Sequence, residues 1–116
     1  MKIRMTFNGQ SITGTLHDNP SSRDFYAMLP LDLEIEDYST NEKIVHLPRK
    51  LTTEGKGPFG DERPGDIAYW SPWGNLVFYY DGYRYDPGLI RLGRCDGSFD
   101  MLRRPGRYPV HLERIE

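Results

Sequence analysis

Gly55-Lys-Gly57-Pro-Phe-Gly60 has the G-x-G-x-x-G spacing that cradles a pyrophosphate when it follows a strand and opens a helix. Here Pro58 interrupts it and Asp61-Glu62-Arg63-Pro64 follows, so no helix can be read beyond it and nucleotide binding is not expected. His17, His46 and His111 are far apart, and none falls at H-x-H or H-x-x-x-H spacing. No metal site and no cofactor are expected from them. Cys95 is the single cysteine, which excludes an internal disulfide framework and a Cys-based zinc site. It has no neighbouring His or helix N-terminus to activate its thiol, and it reads as a small strand residue. No Gly-x-Ser-x-Gly elbow appears. Most carboxylates alternate with apolar residues and belong on a solvated face. Asp61, Glu62 and Asp66 flank a long loop within reach of Arg63, a spacing that by itself argues no catalytic pair.

Aromatic side chains are the other concentration of chemistry: Tyr69, Trp70, Trp73, Phe78, Tyr79, Tyr80, Tyr83 and Tyr85 crowd one stretch. Alternate strand residues point apart, so Tyr69, Phe78 and Tyr80 cannot share a face with Trp70 and Tyr79. About half of the cluster is therefore expected in the core or cladding it, while Tyr83 and Tyr85 are expected in an exposed turn. Aromatic rings beside Asp and Asn suit sugars or proline-rich peptides.

These residues need a scaffold, and the chain is punctuated for a mainly β one. Ile3, Met5 and Phe7 alternate with Lys2, Arg4 and Thr6. Asn8-Gly9 follows, suited to a two-residue hairpin turn because both residues tolerate positive φ. Ile12 and Leu16 mark the returning strand. Asp18-Asn19-Pro20 is a helix start, with a capping side chain and then proline at the first helical position. Phe25, Met28 and Leu29 share its inner face, and Pro30 ends it. A helix this short would plug an open barrel end. Leu31, Leu33 and Ile35 alternate with Asp32, Glu34 and Glu36, and Ile44 to Leu47 is a shorter strand. Pro48 to Pro64, rich in glycine, proline and charge, reads as a long surface loop. Gly65 to Asp81 reads as two strands joined by a Pro/Gly/Asn turn. Leu89 to Cys95 and Val110 to Ile115 are further strands, and Ser98 to Arg103 fits one helical turn with Phe99 and Leu102 facing in. The total is seven or eight strands, consistent with a small closed barrel or a sandwich.

At 116 residues the chain is expected to form one domain over 1–116. Its formal charge of −2 comes from intermixed signs, and the one basic stretch, Arg103, Arg104 and Arg107, is broken by Pro105-Gly106. No nucleic-acid partner is expected. The N-terminus lacks an apolar signal region and no segment is apolar enough to span a bilayer, so no membrane association and a cytoplasmic location are expected.

Taken together, Gly65 to Asp81 with Gly88-Leu-Ile-Arg-Leu-Gly93, Asp18-Asn-Pro-x-x-Arg-Asp-Phe25, Leu29-Pro-Leu31 and Leu47-Pro-Arg-Lys-Leu51 resemble the small bacterial cyclophilin-like proteins. The resemblance covers nearly the whole chain and implies a closed eight-stranded β-barrel with one or two short helices capping its ends. The wider superfamily includes peptidyl-prolyl isomerases, whose proline pocket is an apolar floor beside one arginine. By this resemblance Arg49, in His46-Leu-Pro-Arg49, matches the catalytic arginine, and Phe78, in Gly74-Asn-Leu-Val-Phe78, matches the pocket phenylalanine. Leu76 then stands where the isomerases carry glutamine, a departure, and their tryptophan and histidine are missing apart from His111. An isomerase needs no nucleophile, acid or metal. It twists an amide whose rotation barrier is about 18–20 kcal/mol, and an arginine can anchor the carbonyl. Arg49 has two other readings: a rim residue, or a support for the fold through Asp61 or Glu62. The resemblance thus implies a peptidyl-prolyl isomerase or a degenerate relative acting on a proline-containing peptide. The alternative is a non-catalytic barrel that binds a small molecule or peptide through Tyr69, Trp70, Leu76, Tyr80 and Phe59 of the Gly55–Pro64 loop.

Overall fold

Turn chemistry at Asn8-Gly9 sets the first register. Asn8 (φ 54°) and Gly9 (φ 71°) both adopt left-handed conformations, which joins β1 (Lys2–Phe7) to β2 (Gln10–Leu16) with Phe7 opposite Gln10. The computed structural model describes residues 1–115. After β2 come α1 (Pro20–Met28), β3 (Leu31–Tyr38), β4 (Glu42–His46), β5 (Asp66–Trp70), β6 (Asn75–Tyr79), β7 (Leu89–Asp96), a 3-10 turn (Asp100–Arg103) and β8 (Arg107–Ile115). The strands close in the order β1-β2-β7-β5-β6-β4-β3-β8, every neighbouring pair antiparallel. Closure leaves no free edge, and the expected eight-stranded β-barrel is the fold.

An eight-stranded barrel is just wide enough to be filled by its own side chains. Ile3, Met5, Ile35, Val45, Tyr69, Leu76, Phe78, Ile90 and Leu112 fill this one and are buried. The helix lies between the end of β2 and the start of β3 and plugs that end. Asn19 caps it, its Oδ1 accepting from the Ser22 N–H at 2.8 Å, with Pro20 opening the first turn. Phe25 and Leu29 are buried against the barrel core. The 3-10 turn lies between β7 and β8 at the opposite end, where Leu102 is buried and Phe99 packs on the same core.

A bulge in β7 locks the helix down. Ile67 pairs with Gly93 and Ala68 with Arg91, so Leu92 is the extra residue. Its carbonyl is freed from the ladder and accepts from the His17 N–H at 2.7 Å and the Ser22 hydroxyl at 2.8 Å. Gly93 is required beside it, because a Cβ there would fall on the Thr15 carbonyl of β2.

β4 and β8 begin before their sequence signals. β4 begins at Glu42 rather than Ile44 and ends at His46. Lys43 points inward and is fully buried, its Nζ 2.6 Å from Asp37 Oδ1, so a charge hides an inward position. β8 begins at Arg107, three residues before Val110. Pro109 masks its start. The β1 pairing stops at His111, so Pro109 lies where β8 has only β3 as a neighbour, a position that tolerates a missing N–H. Among the described residues no helix is long and apolar enough to cross a membrane.

Candidate functional site

With the interior full, open space lies outside. On the outer face of β4, β6 and β5 the registers build three rungs. Glu42 stands opposite Tyr79, then Ile44 opposite Val77 and Val77 opposite Ala68, then Asn75 opposite Trp70 and Trp70 opposite Leu89. Four residues separate the first rung from the third along β4, so at about 3.3 Å per residue the trough runs roughly 13 Å. Tyr38, at the end of β3, walls one side. Arg84 and Asp86, in the loop from β6 to β7, wall the other, and Trp73 of the β5–β6 turn closes one end. The pocket measures about 310 Å³ and is open along its rim.

Aromatic rings form its rim. Trp73 meets Tyr38 edge-on at 5.5 Å and Trp70 edge-on at 6.4 Å. Trp73 is 55% and Tyr38 44% exposed, and with Met1 they are the exposed large hydrophobics among the described residues. Gly88 lies so close under Trp70 that a Cβ would sit 2.5 Å from the indole, which fixes that ring.

Two polar groups sit at opposite ends of this apolar trough. Burial pushes the Glu42 carboxyl up to about 7, outweighing the hydrogen bond from Tyr79 that favours its ionised form. Tyr79 is itself raised, first by burial and then by the negative charges of Glu42, Asp86 and Asp66. At the other end Asn75 is buried. Its amide nitrogen donates to the Leu76 carbonyl at 3.2 Å, while its Oδ1 has no hydrogen-bond partner among the described residues.

The neighbouring strip of the outer face is closed by loops. Asp66 is fully buried. It stands across from Arg94, whose Nε is 2.5 Å from Asp66 Oδ1, and Tyr83 donates its phenol to Asp66 Oδ2 at 2.6 Å. Arg91 reaches Asp61 at 2.7 Å and lies over the Phe59 ring at 4.5 Å. These contacts pull the Gly55–Pro64 loop onto β5 and β7. Tyr83 stacks flat on Tyr79 at 3.6 Å, and Tyr85 meets Phe59 edge-on at 4.8 Å. Tyr83 and Tyr85 are therefore half-buried cladding rather than exposed turn residues. The expected partner Arg63 gives Asp66 only its backbone N–H, at 3.2 Å, because the cross-strand arginines take the carboxylates.

The sequence-derived site residues scatter over this architecture. Arg49 is exposed and donates through both terminal nitrogens to Asp24 of α1, at 2.7 and 3.1 Å. Asp24 also accepts from the Thr52 N–H at 2.8 Å and is held below the usual carboxylate range, chiefly by Arg49. The pairing of Arg49 with Asp61 or Glu62 is not made: Asp61 is held by Arg91 and Arg94, and Glu62 accepts from the Tyr85 N–H. Phe78 and Leu76 point into the barrel and are fully buried. So is Tyr69, whose hydroxyl accepts from the Leu51 N–H at 3.0 Å. Tyr80 is half-buried under Arg103, 5.5 Å from its ring, and Phe59 lies in the closed strip. Of the seven, Trp70 alone lines the pocket. Cys95 is largely buried, which pushes its thiol up to about 12. Among the described residues no three His, Cys, Asp or Glu side chains gather as metal ligands.

Sequence reasoning missed Glu42, Asn75, Arg84, Asp86 and Tyr38. Trp73 was in the aromatic cluster, and its place in a Pro/Gly turn that does not need it was the available signal. Glu42 gave none, because its burial depends on Tyr79 lying opposite it.

The model of a cyclophilin-like family matches residues 5–113, and the chain belongs to that family. The solution structure of a hypothetical protein from Archaeoglobus fulgidus is similar, with a TM-score of 0.73 at 15% identity, covering 99% of this chain and 95% of that one. At that identity the likeness is one of fold. No curated protein matches the chain.

Proposed function

We propose that this member of the cyclophilin-like family is a binding barrel whose site is the outer-face trough, taking a short peptide segment or small molecule with an elongated apolar stem. One observation carries the reading: the pocket of about 310 Å³ has an apolar floor and is rimmed by Tyr38 and Trp73, the two most exposed large hydrophobic side chains. Exposed aromatics gathered over a concave apolar surface favour ligand binding. A rigid floor of paired strands would hold the site with little reorganisation.

An isomerase acting here would need an arginine in the trough. Arg49 is bound to Asp24 and does not line it, so Arg84 is the residue that an amide carbonyl could meet. Binding without turnover is the better-supported reading. The test is a two-dimensional NMR titration with a panel of short peptides, proline-containing ones included, and of small aliphatic and aromatic amides. Shifts of the Trp70 and Trp73 indole N–H signals, lost in Trp73→Ala, are expected. Ligand-induced shifts confined to residues outside the trough, or none for any compound, would overturn the reading.

A further inference from the structure

The trough is polar in a specific pattern. Its floor is apolar, a carboxyl stands at one end, and a buried amide oxygen without a partner stands at the other. A buried acceptor left unpaired costs free energy, and it is satisfied by a donor. Both ends therefore ask for N–H groups. Water apart, the group that suits a carboxylate between aromatic walls is a cation.

We infer that the trough recognises an alkylammonium group at the end of an aliphatic chain that carries a second N–H donor. The ammonium lies against Glu42 between Tyr38 and Tyr79, the stem lies on Ile44 and Val77, and the second donor meets Asn75 Oδ1 beside Trp70. This rests on the binding reading above. A lysine side chain with its own backbone amide has this form: a strongly hydrated charge on a flexible four-carbon stem. A free aliphatic diamine shares the chemistry.

The electrostatics agree with the placement. Three carboxylates, Glu42, Asp86 and Asp66, act on the Tyr79 phenol in the same sense. The titratable groups facing Glu42 are Tyr79 from β6, Tyr38 from β3, and Arg84 and Asp86 from the β6–β7 loop. His46, further along β4, turns to Glu36 at 3.9 Å. Arg84 is the one cation on the lining. Because burial holds Glu42 near 7, an arriving cation must find or make it ionised. Binding releases a proton below that value and none above it. Affinity should therefore rise about 10-fold from pH 6 to pH 8 and level off beyond.

The experiment is an NMR titration of the wild-type protein and of Glu42→Gln with capped lysine amide, 1,5-diaminopentane and capped norleucine amide, the neutral analogue. In the wild type at pH 8, capped lysine should bind at least 10-fold more tightly than capped norleucine, with the pH dependence above. In Glu42→Gln that advantage should disappear while the fold, followed by the dispersed amide spectrum, is kept. A second variant, Asn75→Ser, should weaken the lysine and the norleucine compound alike, since both carry the amide donor. Tighter binding of the diamine than of capped lysine would support the inference with a free amine as the source. The reverse order would support it with a peptide as the source. If norleucine binds as tightly as lysine while the Trp70 and Trp73 signals shift, the cation assignment falls and the binding site stands. If no compound of this set or of the wider panel shifts those signals, both fall.

Discussion

Glu42→Gln should stabilise the protein, and by an amount that depends on pH. A carboxyl on a half-buried strand position is comfortable only while protonated. Its pKa rises from 4.5 to about 7 on folding, so the unfolded chain gives up the proton more readily than the native one. Below about 4.5 both states hold the proton and the group has no effect. As pH rises towards 7 the unfolded state ionises first and stability falls. Above about 7 the loss is complete. Taken whole, the shift corresponds to about 3 kcal/mol. The carboxyl lines an open trough, however, and screening there reduces this to roughly 1–2 kcal/mol. Glutamine keeps the shape of the protonated acid at every pH. The variant should thus match the wild type near pH 4 and exceed it by roughly 1–2 kcal/mol at pH 8, or about 4–8 °C in melting temperature for a chain of this length. Urea melts of both proteins at the two pH values measure this. The lowered pKa of His17, due first to burial and then to Arg91 and Arg94, contributes equally to both proteins and cancels in the difference. A difference that stays constant between pH 5 and pH 8 would refute the argument, as would an NMR titration placing the Glu42 carboxyl near 4.5.

Arg49→Ala should leave ligand binding in the trough unchanged and speed hydrogen exchange at the Thr52 amide, since Asp24 loses the partner that orients it. Weakened binding in that variant would restore Arg49 to the site. Asp66→Asn should cost about 3–5 kcal/mol in urea denaturation, because Arg94 and Arg91 lose a fully buried counter-ion. Protease should then cut the Gly55–Pro64 loop first, and an unchanged midpoint would refute the role given to the pair. Gly93→Ala should cost roughly 3 kcal/mol or more, since its methyl group meets the Thr15 carbonyl across the β2–β7 pairing. A variant that melts with the wild type would show that the strands can part there without cost.

The barrel was legible because local signals carry it. Asn8-Gly9 needs no distant partner to turn the chain, and Asn19-Pro20 needs none to start a helix. Ile3, Met5 and Phe7 face inward by period alone. Signals failed where a polar residue takes an apolar place. Lys43 sits inside the barrel because Asp37 meets its ammonium at the rim, and Asp66 is buried because Arg94 lies across the ladder. The Asp66–Arg94 pair spans 28 residues, so no short window of sequence displays it, and the Lys43–Asp37 pair, six residues apart, forms only once the β3–β4 register sets the two opposite each other.

The site was hidden for a related reason. Matching Phe78 and Leu76 to an isomerase pocket follows sequence order, yet the period of a strand decides the face. In β6, Leu76 and Phe78 point in while Asn75, Val77 and Tyr79 point out. A barrel of eight strands has no room inside for a ligand once Phe78, Tyr69 and Phe25 are in place. On the proposed reading, binding uses the other parity. That places the chemistry on residues the isomerase comparison skips: Asn75 on the same strand, Glu42 opposite Tyr79, and Trp73 in the turn. The outward residues of β4 and β6 would ordinarily face water and carry charge. Here Ile44, Val77 and Tyr79 are buried although they lie outside the barrel, because Tyr38 and the β6–β7 loop stand over them. A second, smaller apolar cluster on the outer face, open at its rim, is what distinguishes a binding surface from cladding. On the strip next to it Phe59 and Tyr83 pack over the same cluster, so the trough is the part of it left open, which is why the proposed site lies there.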